Sequence, residues 1–280
     1  MDWPLRGLLL TPAAMPHSLL KSFLGTNQLF QSVSGFNLAL TTYEHDASFE
    51  DWHSHEELSL GLLVNGTYEE ELLRRHHKRQ PGAIKFVPAG ELHRCVGYAG
   101  QARQFNLQVS SGLVSEMGLT EARLHHLASE SDGMDTKFAL LKLYHELVSP
   151  DYSPASLELL GYELFASKLP VRLPKKPPTW IIALKELLHD QWNTPFDLQD
   201  IAGTLGVHPV TVSRYFPHYF FCTLSTYVRK IKVDKSLVLL KTTALSLTEI
   251  AYTCGFADQS HFTRSFQATT GFLPKEFKKA

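Results

Sequence analysis

Cysteine is scarce in this chain: three in 280 residues, with Cys95, Cys222 and Cys254 far apart. That excludes a disulfide framework or a zinc finger, which need closely spaced sets, and it suits a reducing cytoplasm. Long apolar runs are also missing. No stretch approaches the roughly 18 apolar residues of a membrane span, so no membrane partner is expected. The early patch "GLLLTPAAM" is preceded by only one cation, Arg6, and is broken by proline, which makes a poor signal peptide. Net charge is nearly absent, at −1. What is present is enough apolar material for a core, 44% hydrophobic against 20% charged, over a length that suits two domains.

The small net charge hides a division. From Lys175 to Ala280 there are 13 Lys plus Arg against 8 Asp plus Glu, or +5; the rest carries 14 against 20, or −6. An acidic first part and a basic second part point the second toward a polyanion. The stretch "LPVRLPKKPP" (169–178) has four prolines in ten residues and reads as an extended, fairly stiff spacer. Before it, Phe36 to Gln108 reads as short strands, and Asn65–Gly66 between apolar runs is a hairpin signal. Such strands suggest a barrel or sandwich. From Gly112 to Lys168 the period becomes helical. Phe138, Leu141 and Tyr144 share one face, and Leu157, Leu160, Leu164 and Phe165 form a second stripe that packs on its own domain or on a second subunit.

Two phrases in the basic part repeat. "DIAGTLGVHPVTVSRYF" (Asp200–Phe216) and "EIAYTCGFADQSHFTRSF" (Glu249–Phe266) align Ile201–Ala202 with Ile250–Ala251 and Gly206 with Gly255. They also align Arg214 with Arg264 and Phe216 with Phe266, after one inserted residue in the second turn. Each reads as helix, tight turn, helix. Asp197 and the capping box Ser246-Leu-Thr-Glu249 start the first helices. Gly206 and Gly255 end them, and Pro209 and Asp258 start the second helices. This is the pattern of a helix-turn-helix, whose second helix fits the DNA major groove. The outward set of the first copy is His208, Val210, Thr211, Ser213 and Arg214. In the second it is Gln259, Ser260, His261, Thr263 and Arg264.

On those residues, the segment from Trp180 to Lys279 resembles the DNA-binding domain of the AraC/XylS transcription regulators. "IAYTCGFADQSHFTRSFQATTGFLPKEFKK" is close to that family's signature over its whole length. The resemblance implies seven helices, with the two units joined by a long helix at about Leu224–Leu240. It also implies a DNA-binding transcription regulator acting on double-stranded DNA, an activator or a repressor; a homodimer is expected from the helices before the linker, and the cytoplasm from the scarce cysteines. The sequence departs from the family pattern in four places. Phe221 stands where glycine is usual, Lys232 where arginine is, Ser236 where alanine is, and His208 where a serine cap is.

In the acidic half, His53 and His55 alternate on a strand and so share a face, and His93 follows after "PAG". "WHSHEELSLGLLVNG" and "PGAIKFVPAGELH" resemble the two cupin motifs, with Gly82, Pro88, Gly90 and His93 matching the second. The acidic residue expected four after His55 is Ser59; Glu57 stands nearby. Imidazoles at this spacing suit transition metals. With the acidic ligand missing, His53, His55, Glu57 and His93 are assigned to a polar effector pocket, with no metal, cofactor or catalytic residue. The run "RRHHKR" (Arg74–Arg79) reads as a solvated charged turn.

The expected protein is α+β with two domains. A cupin-like effector-binding β-barrel spans 1–110 and helices for dimerisation span 111–170. A Pro-rich linker follows at 171–178, and an all-α tandem helix-turn-helix domain at 179–280. Its expected function is transcription regulation controlled by a small-molecule effector, without a catalytic step. The rival is a metal-dependent cupin enzyme fused to a DNA-binding module. A regulator answering to a partner protein is a third reading.

Overall fold

The computed structural model describes residues 18–20, 23, 25–43, 51–72, 75–120, 133–166, 177–194 and 197–280. The patch after Arg6, Arg74 and residues 169–176 of the Pro-rich spacer lie outside the described residues. The chain divides into two compact units, 1–128 and 129–280.

The first unit is a sheet of β1 (Ser18–Leu20), β2 (Thr26–Val33), β3 (Phe36–Tyr43), β4 (His53–His55), β5 (Leu58–Leu72), β6 (Arg75–Arg79), β7 (Ile84–Val87) and β8 (His93–Val109), followed by helix α1 (Ser111–Glu116). β8 is the hub. It pairs antiparallel with β3, with β5 along most of its length, and with β4 at His53–His93. The path runs β1-β4-β8-β3-β2, and β5 carries β6 and β7 as branches. All pairs are antiparallel except β1–β4. Among the described residues the sheet is open: β1 and β2 end its path without pairing to each other. The closed barrel expected from the sequence is therefore found as an open, mostly antiparallel sheet. The burial of β2 agrees, since six of its eight residues, Thr26 to Phe30 and Ser32, are exposed, and no strand among the described residues covers them.

Two local expectations change as well. Asn65–Gly66 does not turn a hairpin; β5 runs through it, and its pairing with β8 shifts there. Gly66 sits at φ +77, where a Cβ would come within 2.5 Å of the Ala99 carbonyl oxygen. The same dipeptide that favours tight turns here serves a bulge. The run Arg75–Arg79 is strand rather than turn. It pairs with β5, which places His76 against Glu69 and Arg79 against Glu70. Opposite charges on facing strands stabilise that pairing.

The second unit holds α2 (Met134–Val148), α3 (Pro154–Ala166), α4 (Thr179–Asp190), α5 (Leu198–Thr204), α6 (Pro209–Phe220), α7 (Leu224–Thr242), α8 (Leu247–Thr253), α9 (Gln259–Thr270) and α10 (Pro274–Lys279). The stripe on α2 is buried at Phe138, Leu141 and Tyr144. Its target is the C-terminal helices. Tyr144 and His145 meet the Phe272 ring, with centroids 5.2 and 4.7 Å apart, and Met134 packs on the core of α4 to α7. Lys137 pairs with Asp234, and Lys230 with Asp135, both bonds reaching α7. Leu157, Leu164 and Phe165 on α3 are buried within the single chain, while Leu159 is exposed.

Candidate nucleic-acid interface and histidine pocket

The two repeated phrases fold as α5–α6 and α8–α9, and α7 connects them. In the first, the Asp197 side chain accepts the Gln199 N–H at 2.6 Å to start α5. Ile201, Ala202, Val212 and Phe216 close its core together with Tyr227 and Ile231 of α7. In the second, Ser246 and Glu249 exchange both bonds of a capping box, at 2.7 and 3.2 Å, and Asp258 accepts the His261 N–H at 2.7 Å. Ile250, Ala251, Phe262 and Phe266 are fully buried. Alanine at the crossing leaves room for the helices to approach. Gly206 and Gly255 both take positive φ, +65 and +69; at Gly255 a Cβ would meet the Asn193 carbonyl oxygen at 2.7 Å.

The four departures from the family pattern each find a physical role. His208 caps α6, its Nδ1 accepting the Val210 N–H at 3.2 Å. Phe221 ends α6 in the left-handed conformation at φ 52, with its ring exposed. Few side chains adopt that conformation without cost. Lys232 donates from Nζ to the Gly255 carbonyl at 2.6 Å, tying α7 to the second turn. Ser236 is buried and returns its hydroxyl to the Val233 carbonyl at 2.7 Å.

His208, Val210, Ser213 and Arg214 are exposed and Thr211 is half-buried. Gln259, Ser260 and Arg264 are exposed, with His261 and Thr263 half-buried. The Arg214 guanidinium lies 5.8 Å from the Tyr215 ring centre. Gln259 accepts from the Thr248 hydroxyl at 2.7 Å, which holds the start of α9 against α8. Tyr252 on α8 is also exposed, and nothing in its spacing marked it.

Residues 201–280 match the family model described as "Helix-turn-helix domain". The C-terminal part of this chain is a helix-turn-helix domain. Over 96 residues it is 31% identical to the HTH-type transcriptional regulator GbdR of Pseudomonas aeruginosa, covering 34% of this chain and 25% of that protein. Over 89 residues it is 33% identical to the transcriptional activator RhrA of Rhizobium meliloti, covering 31% of this chain and 28% of that one. The alignments thus span about a quarter of the length of these curated relatives. A solved transcriptional regulator from Chromobacterium violaceum, described as of AraC-type DNA-binding domain-containing proteins, is 24% identical. That likeness covers 36% of this chain and 89% of the other, with a TM-score of 0.34.

In the first unit, β4 and β8 bring three histidines together. His53 lies opposite His93 in the strand register, and His55 follows two residues along the same face. The Gly90 N–H donates to the His55 carbonyl at 2.9 Å, so the "PAG" turn fixes where β8 begins. The ring centroids are 4.3 to 5.2 Å apart and all three residues are buried. The Nδ1–H of His53 donates to the Asp51 carbonyl at 2.8 Å, and that of His93 to the Glu91 carbonyl at 3.0 Å. Glu57 stands apart, half-buried in the bend between β4 and β5, which interrupts its alternation with His55. Burial, helped by the charges of Lys85 and His53, pushes the His55 imidazole down to about 3 and lowers His93 too, so both are neutral near pH 7.

A cavity of about 20 Å³ adjoins this cluster, lined by His53, His55, Ser59, Lys85, Gln104 and Asn106, among others. Gln104 donates to Asn106 at 2.5 Å, and Asn106 donates to the Thr41 hydroxyl at 3.0 Å. Lys85 is held 3.4 Å from Glu70, which is also bonded by Arg79 at 2.6 Å. Burial pushes the Glu70 carboxyl up, but Lys85 and Arg79 together outweigh it and hold it below the usual carboxylate range. Sequence reasoning missed Lys85, Gln104 and Asn106. The visible signal was polar Gln104, Asn106 and Gln108 alternating with apolar Phe105, Leu107 and Val109 on a strand buried on both faces.

Proposed function

We propose that this chain is an AraC-type transcription regulator that binds double-stranded DNA through both helix-turn-helix units and is controlled by a small-molecule effector in its first unit. The observation that carries the reading is the duplication. Two independently capped units on one connecting helix expose matching sets, His208, Val210, Thr211, Ser213 and Arg214 in one and Gln259, Ser260, His261, Thr263 and Arg264 in the other. Arginine reaches guanine O6 and N7 or a phosphate, and an exposed apolar side chain such as Val210 suits a thymine methyl. The likeness to proteins named as transcriptional regulators and activators supports this reading, including the activator role.

The first unit is the input domain in this reading. Its cupin-like character rests on the histidine motifs, and its pocket is the polar cavity beside His53, His55 and His93; Glu57, which stands apart from that cavity, has no part in it. The protein works in the cytoplasm as a homodimer, with 179–280 as the DNA-binding domain, 111–170 contributing to association and 171–178 as the linker. No residue is given a catalytic role. Sequencing of genomic fragments retained by the full chain tests the reading. The expected result is enrichment of a short shared motif upstream of a few genes. Retention of random DNA alone, with no motif, contradicts it.

A further inference from the structure

We infer that the exposed ring of Phe221 is a DNA contact, packing on the deoxyribose edge of the duplex where α6 leaves the major groove. This rests on the DNA-binding reading above and adds a residue outside the two outward sets. Phe220 and Phe221 are chain neighbours with opposite fates. Phe220 stacks on Phe216 with ring centroids 4.2 Å apart and lies 4.7 Å from the Tyr227 ring, against the core of the first helix-turn-helix unit. Phe221 is 65% exposed and takes no part in that core.

A single exposed apolar side chain calls for no explanation by itself. This one also carries a backbone cost. Its φ is 52, and its N–H donates to the Pro217 carbonyl at 3.0 Å, closing the last turn of α6. Glycine fills such a left-handed helix end without penalty, and a side chain there is disfavoured. The duplicated unit makes the comparison within this chain. Carrying the alignment of Phe216 with Phe266 forward sets Phe221 against Gly271, which ends α9 at φ 87. One recognition helix thus ends on the unstrained residue and the other on a strained phenylalanine whose ring lies in solvent. Strain held at an exposed side chain points to what that side chain touches. Its place on α6 names the partner. Val210, Arg214 and Phe221 are spaced by four and seven residues, which brings Phe221 to the side of the helix that carries the other two, and all three are exposed. Eleven residues at 1.5 Å each set Phe221 about 16 Å along the helix from Val210. The major groove is about 12 Å wide. With the start of α6 against the bases, its end stands at the sugar–phosphate backbone. An apolar ring there covers deoxyribose carbons, which adds affinity without reading sequence.

The test sets stability against affinity in the full-length protein. Phe221→Gly, Phe221→Asn and Phe221→Tyr are each melted and titrated with two duplexes, the retained genomic motif and a random sequence of equal length. Glycine and asparagine both accept the left-handed conformation. Phe221→Gly is expected to raise Tm by about 1–4 °C, because the strain is relieved. The same variant and Phe221→Asn are expected to bind both duplexes about five- to thirtyfold more weakly, the effect of partly burying one aromatic ring. Phe221→Tyr keeps the ring and should bind within about twofold of the unaltered protein, since a ring of the same shape buries nearly the same apolar area. Unchanged affinity in Phe221→Gly and Phe221→Asn overturns the contact. A loss of affinity that comes only with a lowered Tm also overturns it, because the ring then serves the fold. A loss confined to the motif contradicts a deoxyribose contact and puts the ring at a base. Failure of the unaltered protein to bind either duplex sinks the DNA-binding reading and the contact together, whereas tight binding that all three variants share sinks the contact alone.

Discussion

At the scale of single residues, the first unit depends on a buried charge cluster. Glu70 is 1% exposed and faces Lys85 and Arg79, so its removal leaves two cations in a poorly hydrated place. Glu70→Gln is expected to cost about 3 kcal/mol, as for a buried pair that loses one partner. The sign with pH follows from the lowered Glu70 carboxyl. Its contribution is complete above the ordinary carboxylate range, near 4.3, and is lost as pH falls through the lower native value. Urea midpoints at a series of acidic pH values check this; in Glu70→Gln that part of the acid dependence should vanish. Equal acid dependence in both proteins would place the effect elsewhere. His53, His55 and His93 were legible in the sequence because strand alternation and a turn motif are local. Lys85, Gln104 and Asn106 were not, because only the pairing of β5, β7 and β8 brings them to the same cavity.

Secondary-structure elements were legible in type more than in partner. The caps at Asp197, Ser246 and Asp258 and the buried stripe on α2 were readable because each depends on spacing within a few residues. A stripe says what must be buried but not against what. Phe138, Leu141 and Tyr144 predicted a face; that the helix meets Phe272 and is tied to α7 by Lys137 and Asp135 depends on contacts across a hundred residues. Asn65–Gly66 and Arg75–Arg79 were misread for a related reason, since a bulge and a cross-strand charge ladder use the same residues as turns. On α3, Leu157 is 1% exposed and Leu159 is 60% exposed. Leu157→Glu should therefore destabilise the chain by more than about 3 kcal/mol. Leu159→Glu should change stability by less than about 0.5 kcal/mol, and lower the association state if this face pairs subunits. Thermal melts and sedimentation of both variants check the pair. A stable monomer from Leu157→Glu would instead put that leucine in a subunit interface.

For the whole molecule, the charge division and the duplicated phrase carried most of what was legible about function, because both are visible without coordinates. The central claim is that both helix-turn-helix units read DNA. Recognition helices held on one connecting helix can enter successive major-groove segments about 34 Å apart, one turn of the duplex. Arg214→Ala and Arg264→Ala should each weaken specific binding by about 1–3 kcal/mol if the guanidinium reads a base edge. A phosphate contact would lower affinity for all sequences alike and reduce the salt slope. The most direct measurement is a hydroxyl-radical footprint of the full chain on its retained motif, repeated with each arginine variant. The account predicts two protected segments one helical turn apart on one face of the duplex, with Arg214→Ala fading one and Arg264→Ala the other. A single protected segment that both variants leave unchanged, with the fold intact, would contradict it.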